Sequence, residues 1–200
     1  MSPIDRVVTS GTFSLDGGTW DVDNNVWLVG DDEEVLVIDA AHNAGAIVDA
    51  VAGRRVVALV CTHGHNDHIN AADALREATD APIWLHPADR MLWDTQYKAS
   101  PDHHLSDGTT FQVAGATLHA IHTPGHSPGS ISLYAEELDA VFTGDTLFQG
   151  GPGATGRSYS DKPTILASIR ERLLTLPPRT VVHTGHGDTT TIAAEANNIE

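Results

Sequence analysis

Val56-Val57-Ala58-Leu59-Val60 runs through Cys61 into Thr62-His63-Gly64-His65-Asn66-Asp67-His68, and the reading of this stretch decides the fold. The first five residues are apolar and rich in valine, which predicts a short buried strand. Downstream, Ala71-Ala72-Asp73-Ala74-Leu75-Arg76-Glu77-Ala78 predicts a helix from its residue preferences. The three imidazoles and the carboxylate therefore lie on a strand-to-helix loop. Side chains two apart in an extended segment point the same way, so His63 and His65 can face one ion. Gly64 between them leaves room for backbone and metal to approach closely. Where the chain turns into the helix, Asp67 and His68 can face a second ion, and the helix N-terminus favours the charge of Asp67. Neutral imidazole with carboxylate suits zinc, iron or manganese.

Upstream, residues 7–15, 19–29 and 34–39 predict a meander of strands, with a turn at Gly30-Asp31-Asp32 and a short helix at about 44–52. Asp39 ends the third strand, where it can accept an imidazole N–H or cap a turn. His42 matches no ligand spacing and is read as a surface residue. Downstream, Pro82-Ile83-Trp84-Leu85 predicts a strand. Pro87 to about Tyr97 predicts a helix with Met91 and Leu92 on its apolar face. Residues 98–108 read as a polar loop in which His103 and His104 meet solvent or the pocket rim, and His86 is read as structural. Strands around Ala114-Gly115-Ala116 lead to His122-Thr123-Pro124-Gly125-His126, which puts His126 in a Gly/Pro turn after a strand. Ala140-Val141-Phe142 ends at Thr143-Gly144-Asp145, and Thr180-Val181-Val182-His183 leads to Thr184-Gly185-His186, so each presents a donor at a strand end. Between them, Gly150 to Arg157 is a glycine-rich pocket wall, and a helix is expected from Asp161 to about Leu174.

The chain has 200 residues, 40% of them hydrophobic, which suits a single domain over 1–200. Both halves end in a strand, a His/Gly loop and a helix, so two sheets with helices outside them are expected. The formal charge of −16 repels phosphate backbones, so nucleic acid is not expected as a partner. No apolar run approaches a bilayer span, so no membrane partner is expected. Met1-Ser2-Pro3-Ile4-Asp5 lacks the basic-then-apolar pattern of a secretory leader. Cys61 is the single cysteine, which excludes an internal disulfide and agrees with a cytoplasmic location. Free cysteine usually behaves as a small buried hydrophobe, although a catalytic thiol is the competing reading of Cys61.

The strand ends thus supply His63, His65, Asp67, His68, His126, Asp145 and His186, more than one tetrahedral ion can use. The order His-x-His-x-Asp-His, then His, Asp and His at wide spacing, resembles the metallo-β-lactamase superfamily over nearly the whole chain. The resemblance implies an α/β fold, the αββα sandwich, with two mixed sheets face to face and helices outside. It also implies two divalent ions, zinc first, with iron or manganese as alternatives. One would be held by His63, His65 and His126, the other by Asp67, His68 and His186, with Asp145 bridging.

Within the superfamily, Thr123-Pro124-Gly125-His126-Ser127-Pro128-Gly129-Ser130, Thr143-Gly144-Asp145-Thr146-Leu147-Phe148 and Gly156-Arg157 resemble glyoxalase II, the hydroxyacylglutathione hydrolases. The chain lacks the C-terminal helical region with which larger members grip glutathione, so it is similar to the short members. The activity implied is hydrolysis of a small-molecule thioester, with Asp67 as a ligand that also orients the nucleophile. Arg157 and Tyr159 are the candidate substrate-binding residues, Arg157 as a carboxylate anchor. The competing readings are an iron-dependent persulfide dioxygenase, a lactone or β-lactam hydrolase on the same metals, and a metal-binding protein without turnover.

Overall fold

In the computed structural model, which describes residues 3–199, strands β1 (Ile4–Leu15) and β2 (Gly18–Gly30) form a long antiparallel hairpin. Its outer part is largely exposed, whereas residues 24–30 of β2 are buried on both faces. Burial on both faces explains why Val26-Trp27-Leu28-Val29 is apolar without alternation. β3 (Glu34–Ile38) pairs antiparallel with β2, and β4 (Arg55–Val60), β5 (Ile83–Leu85) and β6 (His103–His104) follow in parallel. The order is β1-β2-β3-β4-β5-β6. The second sheet contains β7 (Thr110–Val113), β8 (Ala116–His122), β9 (Ile131–Ala135) and β10 (Ala140–Gly144). After a small hairpin, β11 (Leu147–Phe148) with β12 (Gly151–Pro152), the sheet is completed by β13 (Val181–Thr184) and β14 (Thr190–Thr191), in the order β14-β13-β10-β9-β8-β7.

Three apolar layers hold the sandwich together. Trp27, Leu36, Ile38 and Val60 meet Leu118, Ile131, Leu133 and Phe142 between the sheets. The other face of the first sheet, with Val26, Leu28, Val37 and Leu59, packs on Ile47 and Val51 of α1 (Ala44–Val51) and Leu75 of α3 (Ala72–Thr79). One short helix, α2 (Asn66–Ile69), lies between these and carries part of the histidine loop. On the second sheet, Val141 and Val182 pack on Ile165 of α5 (Lys162–Ser168) and on Ile192 of α6 (Ile192–Glu195). This is the expected two-sheet arrangement with helices outside, and each layer removes apolar surface from water.

Some element boundaries differ from expectation. The helix expected from Pro87 to Tyr97 is a 3₁₀ turn, Pro87–Asp89, followed by one turn of α4 (Arg90–Trp93). Leu92 and Trp93 are its buried residues and Met91 is exposed, the reverse of the expectation for Met91. His103 and His104 form the edge strand β6 rather than a loop, with both rings exposed. The helix from Asp161 starts as expected, capped by Asp161 on the Thr164 N–H at 3.0 Å, but passes into a π-helical turn over Ile169–Leu173. Among the described residues no helix is long and apolar enough to cross a membrane. Met1 and Ser2, which belong to the stretch read against a secretory leader, lie outside the described residues.

Candidate metal centre

The loops after β4, β8, β10 and β13 open at one edge of the sandwich and bring the seven predicted donors together. The ligand-type atoms of His63, His65 and His126 all lie within 4.8 Å of one another, and so do those of Asp67, His68 and His186. Asp145 stands between the two groups. Its Oδ1 is 3.3 Å from His68 Nε2, and its Oδ2 is 3.5 Å from His126 Nε2 and 3.3 Å from His186 Nε2.

The distances fit metal ions. Donors held 2.0–2.2 Å from a tetrahedral ion lie roughly 3.3–3.6 Å apart. His68 Nε2, His186 Nε2 and Asp67 Oδ2 are mutually separated by 3.3 Å. His65 Nδ1 and His126 Nε2 are 3.1 Å apart. Among the described residues, Nε2 of His63 and Oδ1 of Asp145 are buried without a hydrogen-bond partner, a costly state unless something else satisfies them.

The outer hydrogen bonds select the tautomers. His68 donates Nδ1–H to Asp39 at 2.8 Å, His126 to the Ala154 carbonyl at 2.8 Å, and His186 to the Asp23 carbonyl at 2.7 Å. Thr62 Oγ1 donates to Asp39 at 2.7 Å and so accepts from His63 Nδ1 at 3.0 Å. In its neutral form each of these four rings is left with an Nε2 lone pair facing inward, the form a metal requires. Asp39 therefore takes the imidazole-accepting alternative. It holds a left-handed backbone at φ 57°, and its Oδ1 accepts the Thr62 N–H at 2.7 Å.

The two groups differ in charge. Burial lowers the pKa of His63 well below 6.5 and that of His65 to about 3, and neighbouring imidazoles add to the effect. At His68 burial also opposes charge, but the carboxylates of Asp145, Asp67 and Asp39 outweigh it and raise the pKa well above 6.5. At His186 burial is likewise outweighed by Asp145 and Asp67, which raise the pKa to about 10. Asp67 and Asp145, despite burial, are held well below the usual carboxylate range by those rings.

Three residues acquire roles that the sequence did not reveal. Asp89 is fully buried. It accepts the Gly64 N–H at 2.8 Å, the Ser127 hydroxyl at 2.7 Å and the Gly129 N–H at 2.6 Å, tying the His63/His65 loop to the His126 loop. Gly64 is small because a Cβ there would come within 2.9 Å of the Asp89 carbonyl and 3.0 Å of Leu92 Cβ, so the protein neighbour it approaches closely is this segment. Asn24, buried in β2, donates to Asp67 Oδ2 at 3.0 Å. His42 is not a surface residue. Its half-buried ring bonds Asn24 at 2.8 Å, a contact made across the β2–β3 turn that sequence spacing cannot signal. The Asn24-Asn25 pair directly before the apolar run Val26-Trp27-Leu28-Val29 is the available clue. Cys61 is buried, and its thiol pKa is raised by burial, which removes it as a nucleophile.

A cavity of about 270 Å³ opens over the donors, lined by Phe13, Trp20, Val22 and Ala154 and by Arg157, Ser158 and Ser160. The Arg157 guanidinium lies 3.8 Å from the Trp20 ring centroid and 5.7 Å from that of Phe13. Among the described residues no carboxylate forms an ion pair with it. Tyr159 is on the same loop but is exposed, and it is not among the residues lining the cavity.

The family model for the metallo-beta-lactamase superfamily matches residues 19–186, which include all seven donors. The chain belongs to the metallo-beta-lactamase superfamily. A Bacillus subtilis protein named "Probable metallo-hydrolase YqgX" is 36% identical over 86% of this chain and 88% of its own length. The hydroxyacylglutathione hydrolase GloC of Haemophilus influenzae is 32% identical over 86% of this chain and 89% of its own length. The crystal structure of TTHA1623 in a di-iron-bound form superposes with a TM-score of 0.79 at 34% identity, covering 88% of this chain and 94% of that one. The metallo-beta-lactamase fold is thus shown by sequence and by structure, and the donor clusters suit divalent metals, zinc or iron.

Proposed function

We propose that this chain is a dinuclear metal-dependent thioesterase acting on acyl derivatives of a small thiol. The observation that carries the reading is the convergence of five imidazoles and two carboxylates beneath an aromatic cavity whose lining guanidinium, Arg157, has no carboxylate ion-pair partner among the described residues. His63, His65 and His126 would hold one ion, Asp67, His68 and His186 the other, and Asp145 both. Divalent ions held there would lower the pKa of water to roughly 7 and polarise the thioester carbonyl. Asp67 orients the nucleophile toward the carbonyl carbon. Phe13, Trp20 and Val22 exclude bulk water and strengthen the electrostatics inside. Arg157, over the Trp20 ring, offers its N–H groups to a substrate carboxylate. The leaving thiolate, with a free-thiol pKa of about 8.5, needs little proton assistance. GloC, whose name states hydroxyacylglutathione hydrolysis, supports the thioester assignment, although the thiol carrier here is open to glutathione, mycothiol or another small thiol.

A second reading, an iron-dependent persulfide dioxygenase, draws only its choice of metal from the similar TTHA1623, which was crystallised in a di-iron-bound form. One experiment separates them. Protein purified without added metal is analysed for its elements and assayed on thioesters, lactones, a β-lactam and a thiol persulfide with an oxygen electrode. Thiol release from a thioester with two metal equivalents is expected. Oxygen consumption with the persulfide, without thioester turnover, would replace the reading.

A further inference from the structure

His42 and Asn24 form a chain of hydrogen bonds whose direction is fixed from one end. The His42 backbone N–H can only donate, and it donates to Asn70 Oδ1 at 2.5 Å. The Asn70 amide nitrogen must then be the atom 3.0 Å from His42 Nδ1, so Nδ1 is the acceptor. A neutral ring with Nδ1 unprotonated carries its proton on Nε2, which donates to Asn24 Oδ1 at 2.8 Å. That leaves Asn24 Nδ2 facing Asp67 Oδ2 at 3.0 Å. The carboxylate at the far end can only accept, so the polarity closes without conflict. The chain also accommodates this ring at some cost. His42 holds a left-handed backbone at φ 62°. A Cβ at Gly11 of β1 would come within 2.1 Å of the ring, so only glycine leaves the space.

We propose that His42 is a positioning residue that locks the Asn24 amide with its N–H toward Asp67, and so fixes the carboxylate for the Asp67/His68/His186 ion. Without the Nε2–H donor the Asn24 amide is held only at its nitrogen end, by Asp67, and its rotamer is no longer fixed from the other side. The proposal rests on the metal-pair reading of the site. It predicts an effect confined to one ion, because nothing in this chain of bonds reaches His63, His65 or His126.

The test uses isosteres. In His42→Asn the amide replaces the Nδ1 side of the ring, tolerates the left-handed backbone and removes the Nε2 donor. In His42→Gln the amide nitrogen replaces Nε2 and restores the donor. Metal-free wild type and both variants are titrated with Zn²⁺ against a chromophoric chelator. Wild type is expected to take up two equivalents. His42→Asn should bind one of them with unchanged affinity and the other up to about 10-fold more weakly, the lower end of the cost of losing an outer hydrogen bond to a ligand, because His42 acts through Asn24. His42→Gln should recover most of that loss. Wild-type behaviour of His42→Asn at both sites, equal weakening at both, or no recovery in His42→Gln would overturn the proposal. Wild type that takes up no pair of ions would overturn the metal-pair reading itself, and that result is read from the wild type alone.

Discussion

His63 and His65 on one side, and His68 and His186 on the other, are the same residue type only a few ångströms apart. Yet the first pair is held neutral and the second is driven toward charge. Burial acts against charge on all four. The difference is made by carboxylates. Asp145, Asp67 and Asp39 surround His68, whereas His63 and His65 face mainly other imidazoles. Their supports differ as well. Asp89 ties the His63/His65 and His126 loops through backbone N–H groups, while Asp39 and Asn24 bond the side chains of His68 and Asp67 directly. The lesson is that the centre is two unlike half-sites sharing Asp145, and each half should respond to its own substitutions.

The most damaging change should be Asp145→Ala, because it strips a donor from both halves. Turnover of a thioester accepted by the wild type is expected to fall about 10³-fold or more, roughly 4 kcal/mol of transition-state stabilisation. Elemental analysis should show loss of metal from both halves; full metal content with near-normal turnover would break the idea of a shared carboxylate. Asp67→Ala should come next, lowering kcat by about 10²-fold while KM changes little, because the nucleophile loses its orientation. Its metal loss should be confined to one equivalent. Equal loss of both equivalents would contradict the separation of the halves. Near-normal turnover, with metal content verified, would reject the catalytic role of Asp67.

Asp89→Ala sharpens the comparison from the neutral side. It leaves two backbone N–H groups and the Ser127 hydroxyl without their acceptor. A loss of about 2–4 kcal/mol of stability is expected, and thermal unfolding should drop by several degrees. In the folded fraction, affinity should fall at the His63/His65/His126 ion and not at its neighbour.

Much of this layout was legible beforehand. The histidine loop announced itself because period-two spacing between an apolar strand and a helix is a local pattern. The strand ends at His126, Asp145 and His186 were legible for the same reason, and the family resemblance paired them. What escaped was contact between segments with no shared period. In sequence, Asp89 is an ordinary acid after Pro87 at a helix start, and only the fold brings the Gly64 and Gly129 amides to it. His42 finds its partners 18 residues before it and 28 after it. Close approach is legible at Gly64 from its place between two histidines, but its protein neighbours, Asp89 and Leu92, come from a segment with no shared period. Met91 is exposed rather than on a buried face because one helical turn is too short for a 3.6-residue pattern to define a face.

The smallest expected effect isolates burial from carboxylates. His183 lies between Trp27 and Phe142, with ring centroids 4.6 and 4.8 Å away, and belongs to neither half of the centre. Burial, helped by the charge of Arg6, lowers its pKa from 6.5 to about 4. The sign follows from linkage. Above pH 6.5 the ring is neutral folded or unfolded, and the full stability is present. As pH falls from 6.5 toward 4, the unfolded chain binds a proton that the folded chain refuses, so stability declines across that window and levels off below it. A single group of this kind contributes at most about 1.4 kcal/mol per pH unit. His183→Phe keeps a flat ring in the slot and cannot titrate. Denaturant unfolding of the metal-free proteins at pH 7 and at pH 5 should therefore show a smaller loss for the variant than for the wild type. Equal losses would mean that burial with the Arg6 charge beside it does not hold this ring neutral in the folded chain.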